Sequence, residues 1–342
     1  MNWHNFWLKI LLLSCFLMLL VFIFIILINP YDNLHLKINA ERVPITWNQR
    51  YSYPAIARKH IFDSAIIGTS TARLLNPETL NSIFNANFVN LSMNSATAHA
   101  QSQIFNLFRK DHASIKYILF GIDAVWCDTT ENPDQYTPRP FPIWMYDENN
   151  RNDYFHMFNI TALIDSLRLI QYWFGLRKPK YEVNGYTNFL PEEDEYDLDK
   201  AVINLYGSKK NKEQFNESLS VKSAEDKDQK FNFPVHNLLY NMINSLDEDT
   251  QKIIFFVPYH YYLIQNNLEL YNQCKQKILE SSANIKNIHL IDLMFSSEIT
   301  ANDSNYWDTL HYKVSIADKL PKLIHQTMIN KKGINNSSNY LK

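Results

Sequence analysis

Ser70, and Asp308 with His311 far along the chain, could share one proton-transfer chemistry. A serine hydroxyl becomes a nucleophile when a histidine takes its proton, and a carboxylate can hold that histidine in the right tautomer. Ser70 lies in Asp63-Ser-Ala-Ile-Ile-Gly-Thr-Ser-Thr-Ala-Arg73, an apolar run that ends in glycine and a cluster of hydroxyls. The run reads as a short strand buried on both faces, after which Gly68 permits a sharp turn into a helix marked by Leu74, Leu75, Pro77, Leu80 and Ile83. Backbone N–H groups at such a junction favour negative charge, so the hydroxyl would sit beside a ready oxyanion site. An ordinary N-cap serine accounts for the stretch equally well. Asp308-Thr-Leu-His311 follows the last expected strand and precedes the last expected helix, and that place in the chain singles it out from chance DxxH occurrences. Donors to an oxyanion are expected from the Ser70 backbone N–H, from Asn94 or Ser95, and from a group near Asp123.

Strands must hold these groups together. Buried runs at 64–67, 88–92, 115–120, 253–257 and 288–291 alternate with helical spacing, which predicts right-handed crossovers and a parallel sheet. Ligands bind at the carboxyl ends of such strands, where Ser70, Asn94 and Asp123 would stand. The alternation fails from Cys127 to about Asn232, where Pro133, Pro138, Pro140 and Pro142 break the chain. Within that stretch, a helix is expected over about 154–174 and a charged loop over 208–230. The expected organisation is therefore an α/β domain made of 63–126 and 233–330, an inserted cap at 127–232, a connecting segment at 31–62 and a disordered polar tail at 331–342. Single helices are expected near 262–281 and 314–330, with Pro321 kinking the latter or moving its start.

The N-terminal residues 1–30 read as an anchor. Ile10–Ile28 is apolar but for Ser14 and covers roughly 28 Å at about 1.5 Å per residue, close to a bilayer's hydrocarbon thickness. It is longer than a signal peptide's core and ends in Leu27-Ile28-Asn29-Pro30 without a small-x-small cleavage site, so an uncleaved transmembrane helix is expected. Lys9 before the span and Lys37 and Arg42 after it do not orient it. A net charge of −2 over 342 residues, with no basic stripe, argues against a nucleic-acid partner. Cys15, Cys127 and Cys274 form no metal-ligand spacing and no evident disulfide framework; Cys274 reads as a small core residue on a helical face with Ile264, Leu268, Tyr271 and Ile278.

With Gly68-Thr-Ser70, Asn90-Leu-Ser-Met-Asn-Ser-Ala96, Gly121-Ile-Asp123 and Asp308-Thr-Leu-His311 in this order, the sequence resembles the SGNH/GDSL hydrolase superfamily. It is most similar to the membrane-anchored, periplasm-facing branch related to proteins that O-acetylate polysaccharides. The likeness covers about 63–125 and 251–330, and the four segments look like the first, second, third and fifth blocks. It implies a flavodoxin-like three-layer α/β/α sandwich with a mainly parallel five-stranded sheet and oxyanion donors from the first three blocks. It also implies a triad in which Ser70 attacks, His311 acts as base and acid, and Asp308 orients His311, with no metal or organic cofactor. The sequence departs from the family at three places: Asn94-Ser95 stands where a glycine usually presents its N–H, Asp123 where an asparagine usually donates, and Thr69 where an aspartate is common. A carboxylate donates only when protonated, and losing one such donor typically costs about 10²- to 10³-fold in rate.

Three more residues are candidates for the cleft. His260 follows the fourth strand in Pro258-Tyr-His260 and could touch a substrate, although a loop histidine without a catalytic role is the default. Arg73 could meet an anionic substrate group, although a solvated helix-face arginine is the default. Trp307, with Trp126, Trp144 and Tyr306, could stack on sugar rings, against a default of core packing. The expected function is that of a serine esterase or O-acyltransferase in the inner (cytoplasmic) membrane, its soluble domain in the periplasm or another extracytoplasmic space. The substrate would be an ester, O-acetyl above all, of an envelope glycan or lipid, and a membrane-bound acyl-donor protein is implied by the resemblance alone. The alternative is a non-catalytic, membrane-tethered glycan-binding or assembly subunit with a degenerate site.

Overall fold

The computed structural model describes residues 3–147, 151–221 and 229–330, so the tail expected at 331–342 lies outside the described residues. Its strands are β1 (Ser64–Ile67), β2 (Phe88–Asn90), β3 (Tyr117–Ile122), β4 (Gln251–Phe256) and β5 (Ile288–Asp292). The helices begin with α1 (Trp3–Ile28), α2 (Gln49–Ala57), α3 (Ser70–Arg73), α4 (Pro77–Phe84), α5 (Ala98–Asp111), α6 (Asp153–His156) and α7 (Ile160–Trp173). They continue with α8 (Leu198–Tyr206), α9 (Lys209–Val221), α10 (His236–Asn244), α11 (Tyr261–Asn266), α12 (Leu268–Ser282), α13 (Val314–Ala317) and α14 (Leu320–Ile329). Two compact units emerge, 1–56 with 139–183 and 57–138 with 184–342.

The second unit is a three-layer α/β/α sandwich around an all-parallel sheet of order β2-β1-β3-β4-β5, the flavodoxin-like order. β1 aligns Ser64 with Phe88 of β2 and with Tyr117 of β3, and β3 aligns Tyr117 with Gln251 of β4. All four residues of β1 are buried, because helices cover both faces, and this is why the strands read as apolar runs rather than as alternating ones. α5 packs with α10 and α10 with α12, while α4 packs with α14. The chain leaves β1 for β2 on one side and returns to β3 on the other, so the sheet's switch point lies between β1 and β3, beside Ser70.

In the first unit, α1 is long and apolar enough to cross a membrane. It ends at Asn29, whose positive φ of 48° breaks the helix in the left-handed manner common at helix ends. Arg42 then donates from Nη2 to the Ile28 carbonyl at 3.1 Å and from Nε to that of Asn29 at 3.2 Å, satisfying groups the helix end leaves open. Ile28, Val43, Ile45 and Leu169 form a small core, with Trp173 packed against it. The segment expected only to connect also carries α2, whose Arg50 and Tyr53 are buried.

Several sequence expectations are corrected. The helix near 154–174 is divided into α6 and α7, and the one near 262–281 into α11 and α12 at Asn267. The last helix is also two, α13 and α14, with Pro321 in the first turn of α14, where a missing N–H costs nothing. The charged stretch expected as a loop from 208 contains α9, in which Phe215 is buried against Tyr206 and Tyr262. Phe215 in so polar a run leaves little visible periodicity. Cys127 and Cys274 form a disulfide across 147 residues, contrary to the expectation of none. Cys274 is buried beside Tyr271 and Ile278 of α12, whereas Leu268 of the predicted face is exposed and Ile264 belongs to α11; it is half of a bridge between the segment after β3 and α12.

Candidate active site

Ser70 is the first residue of α3, three residues beyond β1. Thr69 is the N-cap, yet its side chain does not cap the helix, because the hydroxyl donates to Asp123 Oδ2. Gly68 is needed for a reason other than a turn: a Cβ there would stand 2.6 Å from the Ala72 Cβ, and one on Gly121 of β3 would stand 2.7 Å from the same atom. The two glycines let α3 sit down on the ends of β1 and β3.

His311 reaches Ser70 from a loop closed by a bridge between Tyr306 and Tyr312 and by the Trp307 N–H donating to the His311 carbonyl at 2.9 Å. Within this turn, Asp308 Oδ1 accepts from the backbone N–H groups of Leu310 and His311, both at 2.8 Å. Asp308 Oδ2 lies 2.8 Å from His311 Nδ1. With Nδ1 carrying its hydrogen toward the carboxylate, Nε2 is left to accept the Ser70 hydroxyl, 2.8 Å away. Burial raises the Asp308 pKa, but the hydrogen bond from His311 Nδ1 with those of the two backbone donors outweighs it and holds the carboxyl below its usual range. Asp308 is therefore the anionic member of the set. The loop is pinned at both ends, by Tyr306 Oη donating to the Pro258 carbonyl at 2.8 Å and Tyr312 Oη donating to the Thr71 carbonyl at 2.5 Å. A nucleophile, a base and an orienting carboxylate thus stand in line, an arrangement competent for acyl transfer.

The other expected residues fare differently. Asp123 is buried, with Oδ2 taken by Thr69 and Oδ1 by the Val125 N–H at 3.0 Å, so it braces the Ser70 turn rather than offering a donor. Burial pushes its carboxyl up to about 6, against the hydrogen bonds that favour charge. Ser95 is exposed and stands at a φ of 51°, the left-handed region where glycine is the easy choice. Asn94 Oδ1 accepts from Arg73 Nη1 at 3.0 Å. Arg73 is buried, not solvated, and its guanidinium lies 5.2 Å from the centre of the Phe189 ring. Asn90 donates from its amide to the carbonyls of Ala72, Arg73 and Leu75, tying α3 to β2.

His260 is not in the cleft. It is buried, accepts the Tyr262 N–H at Nδ1 and donates from Nε2 to Asp303 Oδ1 at 3.1 Å. Its own N–H donates to the Thr309 carbonyl at 3.0 Å, so it supports the Asp308–His311 turn from behind. Trp307 is half-buried edge-on to Tyr196, while Trp126 and Tyr306 are core residues and Trp144 belongs to the first unit. No stacking platform forms from these four. Sequence reasoning missed Phe189, which meets the His311 ring edge-on at 5.6 Å and also faces Arg73. Its only sequence signal was an aromatic residue in an uninterpreted stretch.

A cleft of about 980 Å³ begins at Ser95, Val125 and Leu310 and runs along Val235, Leu270 and the Cys127 end of the disulfide. Among the described residues its charged lining is Asp128 and Asp134, and Ser70, Asp308 and His311 lie outside it. Among the described residues no group of histidine, cysteine, aspartate and glutamate could hold a metal ion. Compared with models of known protein families, the sequence matches none, and compared with curated proteins it matches none either.

Proposed function

We propose that this chain is a membrane-anchored serine esterase or O-acyltransferase of SGNH/GDSL type. The observation that carries the reading is the line from Ser70 Oγ to His311 Nε2, 2.8 Å, and from His311 Nδ1 to Asp308 Oδ2, 2.8 Å. His311 would take the Ser70 proton as the hydroxyl attacks an ester carbonyl, then return it to the leaving alcohol, and an alcohol or water would release the acyl group by the reverse steps. Asp308 would hold the imidazole and balance its charge. Backbone N–H groups at the start of α3 and at Asn94-Ser95 would meet the oxyanion, because Asp123 is engaged with Thr69.

The acyl group would come from an ester of a glycan or a lipid, O-acetyl above all. The Cys127–Cys274 disulfide supports an oxidising compartment for the second unit, hence an extracytoplasmic face reached through α1. The test is labelling of the full chain in detergent with a fluorophosphonate, comparing wild type with Ser70→Ala and His311→Ala. Labelling that needs both residues is expected. A folded wild-type chain that stays unlabelled would overturn the reading in favour of a non-catalytic glycan-binding subunit.

A further inference from the structure

We infer that α6 and α7 form a second membrane contact, a lipid-facing shoulder beside the end of α1; the inference rests on α1 crossing the bilayer. α7 buries polar side chains beside the apolar Ala162 and Leu169, and it leaves an apolar stripe exposed. Asp165 and Ser166 are fully buried, whereas Ile160, Ile164 and Leu167, at i, i+4 and i+7 on one face, are 68%, 41% and 50% exposed. On a water-facing helix the outer stripe is ordinarily polar. The buried polar groups are satisfied: Asp165 accepts from Tyr31 Oη at 3.0 Å and from Arg168 Nη1 at 2.9 Å, and Ser166 donates to the Ala162 carbonyl at 2.7 Å. The arrangement is therefore a stable one, and the outward apolar stripe needs a cover. It is prolonged by Phe155, 77% exposed, and Phe158, 45% exposed. Scattered exposed apolar side chains are ordinary, but Phe155, Phe158, Ile160, Ile164 and Leu167, gathered within one stretch, mark a contact surface.

The contacts with α1 say what the cover is. The Phe22 ring of α1 stacks on Phe155 at 6.5 Å and meets Phe158 edge-on at 5.5 Å, while Leu169 further along α7 packs with Ile28 at the end of α1. At about 1.5 Å per residue, Phe22 lies about 9 Å before Ile28 along the axis. A spanning α1 puts Phe22 inside the hydrocarbon, and Phe155 and Phe158 lie at its level. Helices that lie in a bilayer's boundary bury their apolar faces about 5–10 Å deep, which is the depth this contact requires. The occupant of the stripe is lipid, continuous with the lipid around α1.

The full chain in phosphatidylcholine vesicles tests this with a diffusible aryl diazirine that reacts from the hydrocarbon, followed by trypsin. Cleavage after Arg151 and Arg168 isolates 152–168, which is expected to carry label about tenfold above peptides from the sheet, in addition to label in α1. Label in α1 alone, as when a second copy covers the stripe, overturns the shoulder and leaves the anchor standing. Label in neither overturns both. Spin labels at Phe158→Cys and Ile164→Cys, in a Cys15→Ser background, give a second reading. Both should collide more with oxygen than with a water-soluble nickel chelate, and the reverse at both positions overturns the inference.

Discussion

Thr69 gives its hydroxyl hydrogen bond to Asp123, joining the residue before Ser70 to the residue after β3. The bond spans the sheet's switch point and ties together the two strand ends between which a ligand of this fold would sit. It also withdraws both residues from other work: Thr69 no longer caps α3, and Asp123 no longer faces an oxyanion.

Asp123 should make the fold less stable as pH rises. Burial lifts its pKa to about 6, from an ordinary value of about 4, so the folded chain holds this proton more tightly than the unfolded chain. Its contribution is complete below about pH 4 and lost as pH climbs through 6, a change of about 3 kcal/mol. Asp123→Asn keeps both partners, accepting from Val125 and donating to Thr69, without the charge. Denaturant melts should show the variant near wild type at pH 4 and more stable above pH 7. A pH-independent difference would contradict this assignment.

Asp308→Asn separates orientation from folding. The amide oxygen can still accept the N–H groups of Leu310 and His311, so the turn should persist. The amide nitrogen would face Nδ1 and favour the wrong imidazole tautomer, and under the proposed chemistry turnover should fall on the order of 10⁴-fold. Ester hydrolysis measured beside a thermal melt decides this, and an active variant would remove Asp308 from its role.

Reduction of the Cys127–Cys274 bridge should be costly. Closing a loop of this length constrains the unfolded chain, and its loss should cost about 2–5 kcal/mol. Unfolding with and without reductant, checked against a Cys127→Ala/Cys274→Ala double variant, gives the figure. Equal stability in all three would mean the bridge does not form.

Gly68→Ala should destabilise by about 1–3 kcal/mol through overpacking, because the new methyl would stand 2.6 Å from the Ala72 Cβ. Ala72→Gly in the same chain should recover part of the loss and restore labelling of Ser70. No recovery would point to backbone conformation rather than contact.

What the sequence by itself determined was local or periodic. The five strands are short apolar runs because both sheet faces are covered, and α1 is legible because a long apolar run has few other uses. Ser70 after a strand and Asp308-x-x-His311 before the last helices were readable because strand ends and a tight turn are coded by neighbouring residues. The tertiary structure alone decided which distant groups meet. Cys127 found Cys274, Asp123 found Thr69, Arg73 was buried beneath Phe189, and His260 turned to Asp303. These pairings depend on how the crossovers stack the helices and loops over the sheet. Contacts across tens or hundreds of residues leave no period or spacing in a single sequence.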